Sequence, residues 1–135
     1  MTPIENVFFL QKDTLLTHPK LRDIKKQGHS RIPVFQTNKA EKIVGLLYAK
    51  DLVSCNPSTK SPVKSFMRKK VSSILETAKL DDVLNAFKKK RVHLFIVRNH
   101  KRKVVGIVTL ENVLEEIVGD IVDEYDRIAD MKKLK

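Results

Sequence analysis

Two segments of the chain have nearly the same sequence, and this internal repeat constrains the fold more than any other feature. Residues 42–52 read KIVGLLYAKDL and residues 103–113 read KVVGIVTLENV. Gly45 and Gly106 anchor the match, 61 positions apart. The repeat predicts a duplicated structural unit, because similarity at a fixed offset is the signature of repeated architectures. We expect two such units to enclose a cleft between them.

A second pair of matching segments lies upstream of the first. The apolar runs Ile32–Phe35 and Leu94–Val97 are offset by 62 positions. With this offset, Arg31 and His93 are predicted to occupy equivalent places before the first strand of each copy. Arg31 could clamp a phosphate group with two hydrogen bonds. His93 could donate to a phosphate or lie satisfied in the interior.

The composition is that of a globular protein with a basic surface. The chain has 135 residues, of which 41% are hydrophobic, enough for one domain or for two small units sharing a core. No apolar run is long enough to cross a bilayer, and the single Cys55 indicates no disulfide framework. We therefore expect a cytosolic protein, or a cytosolic piece of a larger one. The net charge of +11 favours anionic partners.

Each copy is predicted to contain a helix, two strands and a second helix. In the first copy the predicted elements are a helix at about Pro19–Gln27 ended by Gly28, strands at Ile32–Phe35 and Lys42–Tyr48, and a helix beginning at Ala49. In the second copy they are an extended piece at Val71–Leu75, a helix at about Leu80–Arg91, strands at Leu94–Val97 and Lys103–Thr109, and a helix from Leu110. Gly119 is expected to interrupt that last helix, with another helical segment at Ile121–Ile128. The corresponding boundaries are 1–55 for repeat 1, 56–70 for the linker, 71–120 for repeat 2 and 121–135 for an exit segment.

The turn from the second strand into its helix is the sharpest local feature of each copy. Thr109 is either a helix N-cap or part of a ligand site, because such a turn exposes amide groups that favour anionic and hydroxyl-rich ligands. Asn112 is a weak partner for a capping box. The first copy has Tyr48 and Asp51 at the matching positions, and the Asp51 carboxylate is a good acceptor for the two hydroxyls of a ribose.

Elements of catalysis are scarce in the sequence. The four histidines show no metal-ligand spacing, and there is neither a glycine-rich phosphate loop nor a nucleophile elbow. We therefore predict that the chain is not an enzyme and carries no metal site.

The sequence resembles a known family at both copies. Residues 28–35 (GHSRIPVF) with 43–52 (IVGLLYAKDL) are similar to the first cystathionine-β-synthase (CBS) repeat of the CorC/HlyC family of magnesium and cobalt efflux, hemolysin-C-like and cyclin-M proteins. Residues 104–121 resemble the second repeat and its exit segment. The resemblance implies an α/β fold of two tandem CBS repeats, each β-α-β-β-α, related by a pseudo-twofold axis.

The resemblance also implies a regulatory function. CBS pairs of this kind bind adenine nucleotides in the clefts between repeats, and ATP or AMP, with or without Mg²⁺, is the expected ligand. The implied partners are a second copy in a homodimer and the membrane domain of a full-length cation transporter, with the module on the cytoplasmic side of the membrane. Thr109 matches the ligand-binding hydroxyl of the family, whereas Asn112 replaces its usual Asp. The candidate nucleotide-binding residues are Arg31, Ile32, Pro33, Lys50, Asp51, His93, Phe95, Thr109, Glu111 and Asn112.

Other functions remain open at this stage. The chain could be an interaction module that dimerises without a ligand, with both turns serving only as caps. The acidic stretch Glu111–Asp126 could sense divalent cations directly. Nucleic-acid binding rests on charge alone and is not expected. Because neither copy carries both Thr and Asp, we expect at most one working site, at the Thr109 turn.

Overall fold

The order of strands and helices repeats itself along the chain. The computed structural model describes the backbone of residues 1–133 and the side-chain surroundings of residues 1–128. Its elements are β1 (Thr2–Pro3), β2 (Leu10–Gln11), α1 (His18–Gln27), β3 (Arg31–Phe35), β4 (Ile43–Tyr48), β5 (Ser73–Leu75), α2 (Leu80–Lys90), β6 (Leu94–Arg98), β7 (Val104–Thr109) and α3 (Leu110–Lys133). A 3₁₀ helix at Ala49–Ser54 closes the first unit. The predicted α/β fold of two β-α-β-β-α repeats is confirmed.

Two sheets form the centre of the molecule. One has the strand order β2-β3-β4 and the other β1-β7-β6-β5. In each, the first strand of the repeat pairs in parallel and the hairpin pairs antiparallel. The hairpins carry an irregularity at the same place, between Val34 and Phe35 in one and between Val97 and Arg98 in the other. The duplication therefore extends to the detail of strand register.

The sheet of the second repeat is completed by residues that precede the first. β1 pairs antiparallel with β7, so that Pro3 lies opposite Gly106. A Cβ atom on Gly106 would lie 2.3 Å from the Thr2 carbonyl oxygen, which only glycine avoids. In the first repeat Arg68 bridges to Leu46, and a Cβ on Gly45 would lie 2.7 Å from the Arg68 carbonyl oxygen. In each repeat a chain segment crosses the hairpin so closely that only glycine fits beneath it, at Gly45 in one and at Gly106 in the other.

Both helices that precede a hairpin end in the left-handed conformation. α1 begins after Thr17, whose hydroxyl accepts from the Lys20 amide, and Pro19 lies in its first turn. It ends at Gly28 with φ 72°, as predicted from the glycine. α2 ends at Arg91 with φ 54°, a conformation that L side chains adopt at a cost. The two repeats thus use different residue types for the same backbone turn.

The core is continuous from one repeat to the other. Leu16, Ile24, Ile32 and Leu47 are buried within the first repeat. A central cluster joins side chains of both repeats, namely Phe35, Ala40, Leu46, Leu94, Ile96 and Val104. A third cluster surrounds the Phe87–Phe95 ring pair of the second repeat. Each unit therefore has a cluster of its own, and the central cluster joins the two units.

The expectation that Gly119 interrupts the last helix is wrong. α3 runs without a break from Leu110 to Lys133, through Gly119 and the segment 121–128. A Cβ on Gly119 would meet nothing within 4 Å beyond the helix itself. A single glycine costs a helix only about 1 kcal/mol relative to alanine, which is too little to end a helix by itself.

Candidate functional site

The turn at the start of α3 holds Thr109 and Asn112 against each other. β7 ends at Thr109 and α3 begins at the next residue. The backbone amide of Asn112 donates to the Thr109 hydroxyl oxygen at 3.2 Å, which confirms the predicted N-cap. The hydroxyl in turn donates to Asn112 Oδ1 at 2.7 Å. Both side chains are therefore oriented together on one side of the turn.

A cleft of about 220 Å³ opens beside this turn. Its walls come from β1 and the segment after it, from β3, and from β7 with the start of α3. They consist of Thr2, Asn6, Val7, Phe8, His29, Arg31, Pro33, Ile107, Thr109 and Asn112. The rings of Phe8 and His29 are stacked, with centroids 6.2 Å apart and planes at 19°. The cleft thus brings together the Phe8 and His29 rings with three polar groups, which are the Thr109 hydroxyl, the Asn112 side-chain amide and the Arg31 guanidinium.

Arg31 connects this cleft to the first repeat. Its side chain is mostly buried, and its Nε atom is buried without a hydrogen-bond partner among the described residues. Nη1 lies 3.6 Å from Glu111 Oε1. Glu111 therefore acts on the site by holding Arg31, while its own side chain does not line the cleft.

The turn of the first repeat is closed by an internal ion pair. Arg68 donates from Nε to Asp51 Oδ2 at 2.9 Å and from Nη2 to Asp51 Oδ1 at 3.0 Å. Its guanidinium carbon lies 4.1 Å from the centre of the Tyr48 ring. The hydrogen bonds from Arg68 lower the pKa of the Asp51 carboxyl, and the same bonds raise the pKa of Arg68. The carboxylate expected to accept from a ribose is thus already occupied.

A larger, basic cavity adjoins this ion pair. It has a volume of about 500 Å³, and we call it the basic chamber. Its lining residues are Ser30, Arg31, Tyr48, Ala49, Lys50, Arg68, Arg91 and His93. A smaller hollow of about 220 Å³ shares four of these residues and adds Lys70. Lys50 and His93, both candidates from the sequence, therefore lie away from the Thr109 cleft.

The predicted equivalence of Arg31 and His93 is wrong by one residue. Arg31 is paired with Tyr48, and the matching pair in the second repeat is Leu94 with Thr109. His93 corresponds to Ser30, because the His93 and Ser30 carbonyls accept from the Leu110 and Ala49 amides respectively. The first-strand offset is 63 rather than 62, and the second-strand offset is 61, because the hairpin loop of the first repeat, residues 36–42, is two residues longer than that of the second, residues 99–103.

Two candidates from the sequence have side chains in the core. Ile32 and Phe95 are fully buried, Ile32 with Ile24 and Leu47, and Phe95 against Phe87. Their side chains reach neither the Thr109 cleft nor the basic chamber. They support the strands that position Arg31 and His93.

Sequence reasoning missed four residues that shape these cavities, namely Phe8, His29, Arg68 and Arg91. Met1 and Met67 occupy corresponding places, since a Cβ on Gly106 would lie 3.0 Å from Met1 Cγ and a Cβ on Gly45 would lie 2.9 Å from Met67 Sδ. One shared methionine is too weak a signal to find Arg68 from the sequence.

Among the described residues, no three His, Cys, Asp or Glu side chains are grouped as a metal site would require. Within residues 1–133 no helix combines the length and the apolar character needed to span a bilayer.

Two tandem β-α-β-β-α repeats, each with a cavity beside the turn that follows its hairpin, define a pair of CBS domains. The CBS domain model matches residues 1–57 and 63–119, so the chain belongs to the CBS domain family. The chain is 35% identical to the metal transporter cnnm-1 of Caenorhabditis elegans over 96% of its length, and 34% identical to protein MAM3 of Saccharomyces cerevisiae over 97%. It spans only about a fifth of either relative, 18% of cnnm-1 and 19% of MAM3.

A solved structure supports the same family. The CBS domain of a bacterial CNNM/CorC family Mg²⁺ transporter in complex with ATP matches with a TM-score of 0.76 at 31% identity. The match covers 88% of this chain and 84% of that one. The fold and the family predicted from the sequence are thus confirmed.

Proposed function

We propose that the chain is the regulatory module of a magnesium or cobalt transport protein, and that it senses an adenine nucleotide, ATP or AMP, at the Thr109 cleft. The observation that carries the proposal is the convergence of Thr109, Asn112, Arg31 and the Phe8–His29 ring pair on one cleft. The rings offer a stacking surface for a base, the capping pair offers hydrogen bonds to a ribose, and Arg31 offers a phosphate contact.

The size of the cleft limits which part of a nucleotide it holds. Its volume of about 220 Å³ lies below the range of about 300–1,000 Å³ that is typical of small-molecule sites. The cleft therefore fits the nucleoside, with the phosphates leaving past Arg31. Mg²⁺ would travel with the phosphates as their counterion, on the cytoplasmic side of the membrane that bears the transporter.

Calorimetric titration with ATP, AMP and adenosine, with and without Mg²⁺, tests the proposal. We expect binding of all three, and about a tenfold loss in a Thr109→Val variant, because the hydroxyl contact with the ligand is removed. A Thr59→Val variant, which changes a residue of the linker, is the matched control. Absence of heat at millimolar nucleotide, or a Thr109→Val variant that binds like the wild type, would contradict nucleotide sensing at this cleft.

A second candidate function is that of a homodimerising interaction module. It is favoured by apolar side chains left exposed on α3, which are Leu114, Val118, Ile121, Val122, Tyr125 and Ile128. An exposed apolar stripe on a helix favours contact with another protein surface. The two functions are compatible, and an experiment can separate them. A dimer that forms equally well with and without nucleotide supports the interaction module without supporting nucleotide sensing.

A further inference from the structure

The basic chamber carries positive charge that the proposed nucleoside cleft does not use. The Tyr48 ring is its centre, with three cations over or beside it. Arg68 Cζ lies 4.1 Å from the ring centroid, and Arg31 Cζ and Lys50 Nζ each lie 5.9 Å away. All are within the range of about 6 Å at which cation–π attraction operates. The ring therefore helps to hold cations together that would otherwise repel each other.

Arg91, which belongs to the second repeat, adds a fourth cationic side chain to the basic chamber. It has φ 54° at the end of α2, where the first repeat has Gly28 at φ 72°. A non-glycine residue held in this region suggests a functional role. Here it places an arginine on the wall of the basic chamber.

The charge of the basic chamber is only partly compensated. None of its lining residues is acidic. Among the described residues, Arg68 is paired with Asp51 and Arg31 approaches Glu111, while no carboxylate lies within 4 Å of the Lys50 ammonium or the Arg91 guanidinium. A concave surface lined by one sign of charge concentrates counterions. Arg31 also brings a buried Nε donor without a partner, which an anion could satisfy.

We propose that the basic chamber binds the phosphate groups of a compact polyanion and takes no nucleoside. A nucleoside would need the Tyr48 face and the Asp51 carboxylate, and Arg68 covers the first and occupies the second. The remaining groups are almost all donors and cations, which suit an oxyanion with several acceptors. The phosphates come either from a free inorganic oligophosphate or from the tail of a nucleotide seated in the Thr109 cleft. The proposal does not rest on the function proposed above.

Calorimetry on the whole chain with sodium tripolyphosphate, in the absence of Mg²⁺, tests this proposal. We expect binding that weakens as salt is raised. An Arg91→Gly variant should bind about tenfold more weakly or worse, because a charge-assisted contact is lost. The same variant should have a higher melting temperature, because glycine suits the left-handed turn. Opposite changes in affinity and stability rule out misfolding as the cause of the loss.

Further variants separate the sources and provide the controls. Lys50→Gln should also weaken tripolyphosphate binding, whereas Arg22→Gln, an exposed α1 position losing the same charge, should not. If Thr109→Val leaves tripolyphosphate binding unchanged, the anion binds by itself. If only ATP binds and both Thr109→Val and Arg91→Gly weaken it, the phosphates are those of a nucleotide. Absence of any effect of Arg91→Gly on either ligand, or an equal effect of Arg22→Gln, would overturn the proposal.

Discussion

Asn112 sets the strength of the Thr109 turn at the scale of single residues. Its side-chain amide oxygen accepts from the Thr109 hydroxyl at 2.7 Å, which leaves that oxygen one lone pair for a ligand. A carboxylate there would have a second oxygen left to accept from ligand hydroxyls, with the added strength of a charged acceptor. We expect Asn112→Asp to tighten adenosine binding about fivefold, as judged by calorimetry. Unchanged or weaker adenosine binding in this variant would show that residue 112 does not face the ribose.

Gly106 allows β1 to lie against β7 because it has no side chain. In a Gly106→Ala variant the new Cβ would meet the Thr2 carbonyl oxygen, and β1 would have to move away from β7. We expect the free energy of unfolding in urea to fall by about 1–3 kcal/mol, as for other overpacked sites. Nucleotide binding should weaken in parallel, since Thr2 and Ile107 line the cleft. A variant of full stability would mean that β1 does not pass this close.

Asp51 and Arg68 should give the first repeat a pH-dependent contact. Because its pKa is lowered by Arg68, the Asp51 carboxyl contributes stability above its ordinary value of about 3.9 and loses it as the pH falls below that value. A double-mutant cycle of Asp51→Asn and Arg68→Gln, followed by urea unfolding, should give a favourable coupling at pH 7. The coupling should begin to decline as the pH falls below about 3.9 and should vanish only once the pH lies below the lowered native pKa of Asp51. A coupling that stays constant throughout an acid titration of the folded protein would contradict an ionic contact.

At the scale of elements, α3 is longer and more regular than its sequence suggests. Gly119 lies inside it with open space around its α-carbon. Gly119→Ala should therefore raise the free energy of unfolding by about 0.5–1 kcal/mol. The same substitution should thus raise the free energy of unfolding at Gly119, which has open space, and lower it at Gly106, which is crowded. A loss of stability in Gly119→Ala would indicate that the helix does not continue through this residue.

Local signals sufficed for most elements, and long-range contacts account for what was missed. The strands at Ile32–Phe35 and Leu94–Val97 and the helix end at Gly28 follow from apolar runs and from a glycine, both readable in a short window. β1 has only two residues, and its partner β7 lies about a hundred positions away in the sequence. No local sequence pattern therefore predicts β1. The Arg68–Asp51 pair depends on the same kind of distant contact. The Thr109 cleft was therefore predicted in part, and its walls from β1 and Phe8 were not.

At the scale of the whole molecule, α3 is the surface best suited to a second copy. Leu114, Val118, Ile121, Tyr125 and Ile128 are exposed at alternating spacings of four and three residues, a pattern typical of helix–helix contacts. Ile121→Glu should shift the protein from dimer toward monomer in sedimentation experiments. Arg127→Gln, on the polar side of the same helix, changes the charge equally and should leave the mass unchanged. A monomeric wild-type protein, or a dimer unaffected by Ile121→Glu, would contradict assembly through this face.

The strand that crosses from one repeat to the other also determines how the molecule can be divided. Residues 1–3 belong in sequence to the first half and in space to the second, and the central cluster draws side chains from both. Cleavage in the exposed linker near Asn56–Lys60 would therefore leave two fragments with complementary surfaces and a shared strand pairing. Such halves would be suited to reassembly from separate chains, because the sheet of the second repeat would lack β1 until the N-terminal fragment supplied it.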